Sequence, residues 1–113
     1  MTIDRDPWAS QLRKGLVELA VLALLAEHPR YGSQLVDDLA AHPPLAATAG
    51  TLYPLLARLA ASGLVATTWQ ESPVGPPRKY YALTDAGRQR LRAMAATFGS
   101  ISQSMNTLLG GIR

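Results

Sequence analysis

From Thr84 onward, apolar residues recur at helical spacing for longer than the core of so small a chain can use. Leu91, Met94, Ala95, Phe98, Ile101, Met105, Leu108, Leu109 and Ile112 fall on three- and four-residue steps behind Thr84, a good N-cap. A helix from Asp85 to about Leu109 is roughly 37 Å long at about 1.5 Å per residue. The chain has 113 residues, enough for one domain, and no core of that size covers such a stripe. The surplus face needs a partner chain, most simply the same face of a second copy. Leu91, Phe98, Ile101, Met105 and Leu108 are therefore the expected dimerisation residues.

Three shorter helices are expected upstream. Asp6-Pro7 supplies an N-cap and a proline at the first helical position, and Trp8, Leu12, Leu16, Leu19, Leu22 or Ala23, and Ala26 lay an apolar stripe on a helix over 7–27, ending before Pro29. Ser33 to Ala41 carries Leu35, Val36 and Leu39 opposite Asp37-Asp38, and His42-Pro43-Pro44 stops it. Thr48 opens a third helix, with Leu52, Leu55, Leu56 and Leu59 on its inner face and Gly63 as its stop. Pro54 lies inside that helix and predicts a bend or an irregular first turn.

Leu64–Gln70 and Arg78–Leu83 are rich in β-branched and aromatic residues, and the seven residues between them are loop chemistry, so they predict a two-stranded hairpin. The fold class expected is mainly α with a small hairpin. Residues 1–84 form a winged helix-turn-helix and residues 85–113 a long C-terminal dimerisation helix. In that plan the third helix enters the major groove while the hairpin reaches the neighbouring backbone.

Composition narrows the function. The chain is 48% apolar and 17% charged, so it can bury a core. It has no cysteine, which excludes disulfides, thiolate metal sites and cysteine nucleophiles and fits a reducing cytoplasm. The apolar segment Gly15–Ala26 contains Glu18 and is too short to span a bilayer; Asp4 and Asp6 argue against a signal peptide. His28 and His42 stand outside any catalytic motif, so no enzyme, metal or cofactor is expected. Charge is uneven: residues 1–71 hold five basic against seven acidic side chains, whereas Arg78, Lys79, Arg88, Arg90, Arg92 and Arg113 face only Asp85. A basic second half attracts phosphate, although solvated helix faces also carry such charge.

Leu12-Arg13-Lys14-Gly15-Leu16, Tyr31-Gly32, the run Gly50-Thr51-Leu52-Tyr53-Pro54-Leu55-Leu56-Ala57-Arg58-Leu59, Gly63-Leu64-Val65 and Arg78-Lys79-Tyr80-Tyr81-Ala82-Leu83-Thr84-Asp85-Ala86-Gly87 together resemble the PadR family of bacterial transcriptional regulators. The likeness spans residues 12–92, and a single C-terminal helix is similar to the family's short subgroup. It implies a homodimeric repressor that binds a palindromic operator in double-stranded DNA and releases it when a small aromatic or cationic effector binds. Ala49, where members often have proline, and Pro76-Pro77 in the wing depart from the family pattern.

The residues off the leucine face of the third helix are the DNA-contact candidates. Gly50 permits close backbone approach, Thr48, Thr51 and Tyr53 offer hydroxyls, Pro54 shares their face, and Arg58 can reach a phosphate or a guanine. Arg78 and Lys79 suit backbone phosphate, or else protect an edge strand by charge. Tyr80 and Tyr81 point to opposite faces, one packing on the core and the other, a further DNA candidate, outward; spacing does not decide which. Trp69 is assigned to the core. Trp8, Met94 and Phe98 are the expected effector lining near the dimer seam, with plain packing as the alternative. A DNA-free ligand-binding or protein-interaction module on the same dimeric scaffold is the other functional reading.

Overall fold

The computed structural model describes residues 6–111; Ile112, assigned to the dimerisation stripe, lies outside them. Helix α1 runs Pro7–Glu27, a two-residue strand β1 Arg30–Tyr31, α2 Gly32–Ala40, a 3-10 turn Pro43–Leu45 and α3 Ala49–Ala61. Strands β2 Val65–Gln70 and β3 Arg78–Leu83 form the hairpin, and α4 occupies Asp85–Leu109. The sheet is antiparallel in the order β1-β3-β2, with Arg30 opposite Tyr81 on one side and Thr67 opposite Tyr81 on the other.

The helices begin and end where local chemistry requires. The Asp6 carboxylate accepts from the Trp8 amide at 2.9 Å, and Pro7 takes the first helical position. The α3 helix stays unbroken through Pro54. Pro54 has no N–H to give Gly50, and Gly50 is exposed, so its carbonyl remains open to water. At the other end Gly63, at φ 76°, adopts the left-handed turn that lets its amide reach Ala60 and the Leu64 amide reach the Leu59 carbonyl at 3.0 Å.

Leu35 and Leu39 of α2, Leu52, Leu56 and Leu59 of α3, and Val21, Leu22 and Leu25 of α1 form the buried centre, closed on the sheet side by Val65 and Tyr81. The apolar stripe read on α1 does not form one core face. The row Val17, Val21, Leu22, Leu25 enters the core, whereas Leu16 and Leu19 are half-buried beside α4 and Trp8 and Leu12 are exposed. The second half of α1 is apolar nearly all round, so spacing alone leaves more than one face available.

Strand β1 fills the short connection between α1 and α2, where the sequence marks no strand. It forms because Arg30 is held from three sides: Nε donates to the Leu24 carbonyl at 3.1 Å, one terminal nitrogen to Asp38 at 2.5 Å and the other to Glu27. Arg30 is only 6% exposed, and this planar fork clamps the end of α1 to α2 and to the sheet.

Helix α4 leaves the body through a close junction. Thr84 donates its amide to the Leu64 carbonyl at 3.1 Å, while its hydroxyl accepts from the Gly87 amide at 3.0 Å. A Cβ on Gly87 would stand 2.1 Å from that same Leu64 oxygen, so only glycine fits. Beyond Leu91 and Met94, which lean on the core, α4 runs into solvent and stretches the molecule to 55 × 34 × 21 Å. Gly87→Ala should therefore lower stability by about 1–3 kcal/mol through overpacking against backbone that cannot move aside. A denaturation midpoint equal to that of the parent chain would contradict this junction.

Candidate nucleic-acid interface

The leucines of α3 turn inward, and this exposes Thr48, Gly50, Thr51, Tyr53, Pro54 and Arg58. The exposed set divides. Thr48, Thr51 and Arg58 look toward α1, with the Thr48 hydroxyl 3.4 Å from that of Thr51. Tyr53 turns toward α2 and the wing, its ring so close over Gly32 that a Cβ there would meet it at 2.3 Å. The N-terminal end of α3 also presents the positive end of the helix dipole on this surface.

Arg58 is at the far end of α3, two turns from Thr51, and its guanidinium is 3.1 Å from the Glu18 carboxylate. Its side chain stays 62% exposed, so the pair is a surface one that water weakens and a phosphate can compete with.

The wing supplies the other wall. Alternation along β3 places Tyr81 inward, buried, and Tyr80 on the opposite face, half-buried and edge-on to Tyr31 with ring centroids 5.4 Å apart. Arg78 stacks 4.4 Å above the Tyr31 ring, and the Lys79 ammonium is 5.8 Å from the Tyr81 ring centroid. Burial, and then the nearby Tyr53, push the Tyr81 phenol above its usual pKa of 10, so it stays neutral and adds no negative charge to this wall. Between wing and helices lies a groove of about 410 Å³ lined by Tyr31, Gly32, Ser33, Tyr53, Trp69, Arg78, Lys79 and Tyr81.

Trp69 corrects the sequence reading. It shares the strand face of Val65 and Tyr81 but pairs with Lys79 two residues past the end of the body, and is 68% exposed rather than in the core. Alternation reveals which face a residue occupies, not where the core beneath that face stops. Trp69 is thus a site residue that sequence reasoning missed.

The effector and dimer candidates lie on the other side of α1. A groove of about 400 Å³ between α1 and α4 is lined by Leu16, Leu19, Arg90, Met94, Phe98 and Ile101 together with smaller residues. It brings Met94 and Phe98 together; Trp8, 66% exposed, is not among its lining residues. Leu91 packs on its own core, whereas Phe98, Ile101, Met105, Leu108 and Leu109 form an exposed apolar row.

Three helices, a three-stranded sheet and a wing beside the third helix define a winged helix-turn-helix, a DNA-binding fold. Residues 21–93 match the family described as transcriptional regulator PadR-like, and the chain belongs to that family of transcriptional regulators. It is similar to the solved PadR-like transcription factor of Bacteroides fragilis, with 39% identity, 91% of this chain and 99% of that one covered, and a TM-score of 0.75. A PadR family regulator of Eggerthella lenta is likewise 39% identical over 89% of this chain and 88% of that one, with a TM-score of 0.79. A PadR-like regulator of Bacillus cereus superposes with a TM-score of 0.82 at 35% identity, covering 89% and 98% of the two chains. A comparison with curated proteins finds no match. No helix among the described residues is long and apolar enough to cross a membrane.

Proposed function

We propose that the chain is a homodimeric repressor that binds a two-fold-symmetric operator in double-stranded DNA and answers to a small aromatic or cationic effector. The observation that carries this reading is the shared surface of α3 and the wing: Tyr53, Trp69, Arg78 and Lys79 line one groove beside the exposed N-terminal end of α3. Thr48, Gly50, Thr51, Tyr53 and Pro54 enter the major groove, with Arg58 toward its edge. Arg78, Lys79 and Tyr80 follow the backbone of the adjoining strand, and Trp69 packs on its sugars. The exposed row on α4 supports pairing with a second copy, which sets the distance between the two recognition helices. Repression as the output rests on the family resemblance.

The effector occupies the α1–α4 groove, where Met94 and Phe98 supply an adaptable apolar lining and Trp8 joins only across the dimer seam.

Three experiments test these assignments. Replacing Arg78 and Lys79 with alanine should weaken binding to every duplex and flatten the plot of log K against log salt by about 0.9 per lost phosphate contact. In the same assay Arg58→Ala should cost about 1–3 kcal/mol on the operator and little on random duplex. Equal losses on both reassign it to backbone, and a dimer with no salt-sensitive DNA binding at all would favour the DNA-free module instead. Met105→Asp with Leu108→Asp buries unpaired charge in the seam and should give monomer or aggregate by light scattering; an unchanged dimer mass removes α4 from the interface. Flat aromatic compounds that dissociate the operator complex should quench the wild type more than Trp8→Phe. Equal quenching of both would put the effector elsewhere.

A further inference from the structure

The groove between the wing and α3 holds more aromatic surface than a DNA duplex can use. Trp69 and Lys79 are directly opposite each other in the β2–β3 ladder, so the indole and the ammonium stem rise side by side from one face of the wing. Tyr53 stands exposed across the groove on α3, and the buried Tyr81 closes the floor between them. Among the described residues the ring pair is Tyr31 with Tyr80, and no ring stacks on Trp69. An exposed indole beside a cation is left without a partner of its own.

The groove is also positive. Arg78 lies 4.4 Å over the Tyr31 ring and the Lys79 ammonium 5.8 Å from the Tyr81 ring centroid, so each cation is held at the groove by a ring, and none of the lining residues is acidic. Ser33 and Tyr53 add hydroxyls that can meet the edge of a base. A volume of about 410 Å³ lies within the range of small-ligand sites, room for a nucleotide. In a duplex the faces of each base are covered by its neighbours, and Trp69 can meet only sugars. An unpaired strand offers free base faces and a phosphate beside each of them. A base laid on Trp69, with its phosphates on Lys79 and Arg78, occupies ring and cations together.

We infer that this groove is a binding site for single-stranded nucleic acid, held by stacking of an unpaired base on Trp69 and by contact of the flanking phosphates with Lys79 and Arg78. Every base has a π-face, so a site built in this way tolerates any sequence. The groove overlaps the surface assigned above to duplex DNA, yet the inference does not rest on that assignment: neither an operator nor a second copy of the chain enters it.

Trp69 is the sole tryptophan of a Trp8→Phe variant of the full chain, and its emission reports the site directly. An oligothymidylate should quench that emission saturably and bind at least about ten-fold more tightly than an abasic strand of equal length and charge. By anisotropy of labelled strands, Trp69→Ala, a change at an exposed side chain, should abolish the preference and Trp69→Phe should retain most of it. Arg78→Ala with Lys79→Ala should instead weaken both strands alike. Absence of quenching, equal binding of the two strands, or a preference that survives Trp69→Ala would each overturn the inference. An oligouridylate of the same length tells whether RNA or DNA is the strand held more tightly. A random duplex measured alongside separates this site from the duplex reading. Duplex binding without base-dependent strand binding removes the single-strand site alone, and base-dependent strand binding without duplex binding removes the duplex reading alone.

Discussion

The peptide groups of Leu64 join the winged body of the molecule to α4. Its N–H closes the end of α3 on Leu59, a turn that requires Gly63 in the left-handed region. Its carbonyl receives the Thr84 amide at 3.1 Å and lies within 3.0 Å of the Thr84 hydroxyl, so α4 begins where α3 ends. The bare Cα of Gly87 lets α4 approach this oxygen closely. With so short a connection there is little slack, and a tilt of α4 passes to α3 instead of being absorbed by a loop. In the dimer proposed above, the separation of the two α3 helices is then a property of how two α4 helices pack.

A second constraint works behind the wing. A hairpin that runs past the body has no core under its outer half, so Arg78 and Lys79 hold their places over the rings of Tyr31 and Tyr81 instead of by burial, and Trp69 stays exposed. Their foundation is β1, and β1 depends on Arg30. Without that guanidinium, Glu27 and Asp38 lose their common partner, and Tyr31, on which both Arg78 and Tyr80 rest, loses its anchor. The ion cluster, in which Arg30 is buried, Asp38 partly so and Glu27 largely exposed, is better understood as fixing geometry than as adding net stability, since desolvation of Arg30 offsets much of its attraction.

The order and nearly all the bounds of the helices and the hairpin were legible in the sequence because each is marked by a local device: Asp6-Pro7, Pro43-Pro44, Gly63 and Thr84 act over three or four residues. What was not legible depends on partners distant in the chain. Strand β1 is two residues long and exists through Tyr80, Tyr81 and Asp38, so no run of propensities announces it. Trp69 has the periodicity of a core residue and the environment of a surface one, because the extent of the core is decided by α2 and α3. Likewise the leucines of α1 could be counted, but which of its two apolar rows faces inward was settled by the helices that pack on it. Which residues of α3 stay exposed was easier to read, since Leu52, Leu55, Leu56 and Leu59 mark its inner face. Arg58 shows the limit: its place on that face was clear, its carboxylate partner forty residues earlier was not.

The effector site proposed between α1 and α4 carries an energetic demand different from that of a ligand that simply covers a DNA-binding surface. A ligand between α1 and α4 acts through the α4 packing, so only the difference in its affinity for the two spacings counts; moving a population from 1:99 to 99:1 requires about a 10⁴-fold preference. Tight binding without preference does nothing there. A ligand that covers a DNA-binding surface needs no such preference, because occupancy itself removes that surface, and its effect grows with concentration over its own dissociation constant. The first mode keeps a ternary complex of ligand, protein and DNA, and the second forbids one. At saturating ligand the apparent operator affinity should therefore level off if the effector occupies the proposed α1–α4 groove and keep falling if it competes for the DNA surface, a distinction that operator isotherms measured at several ligand concentrations make.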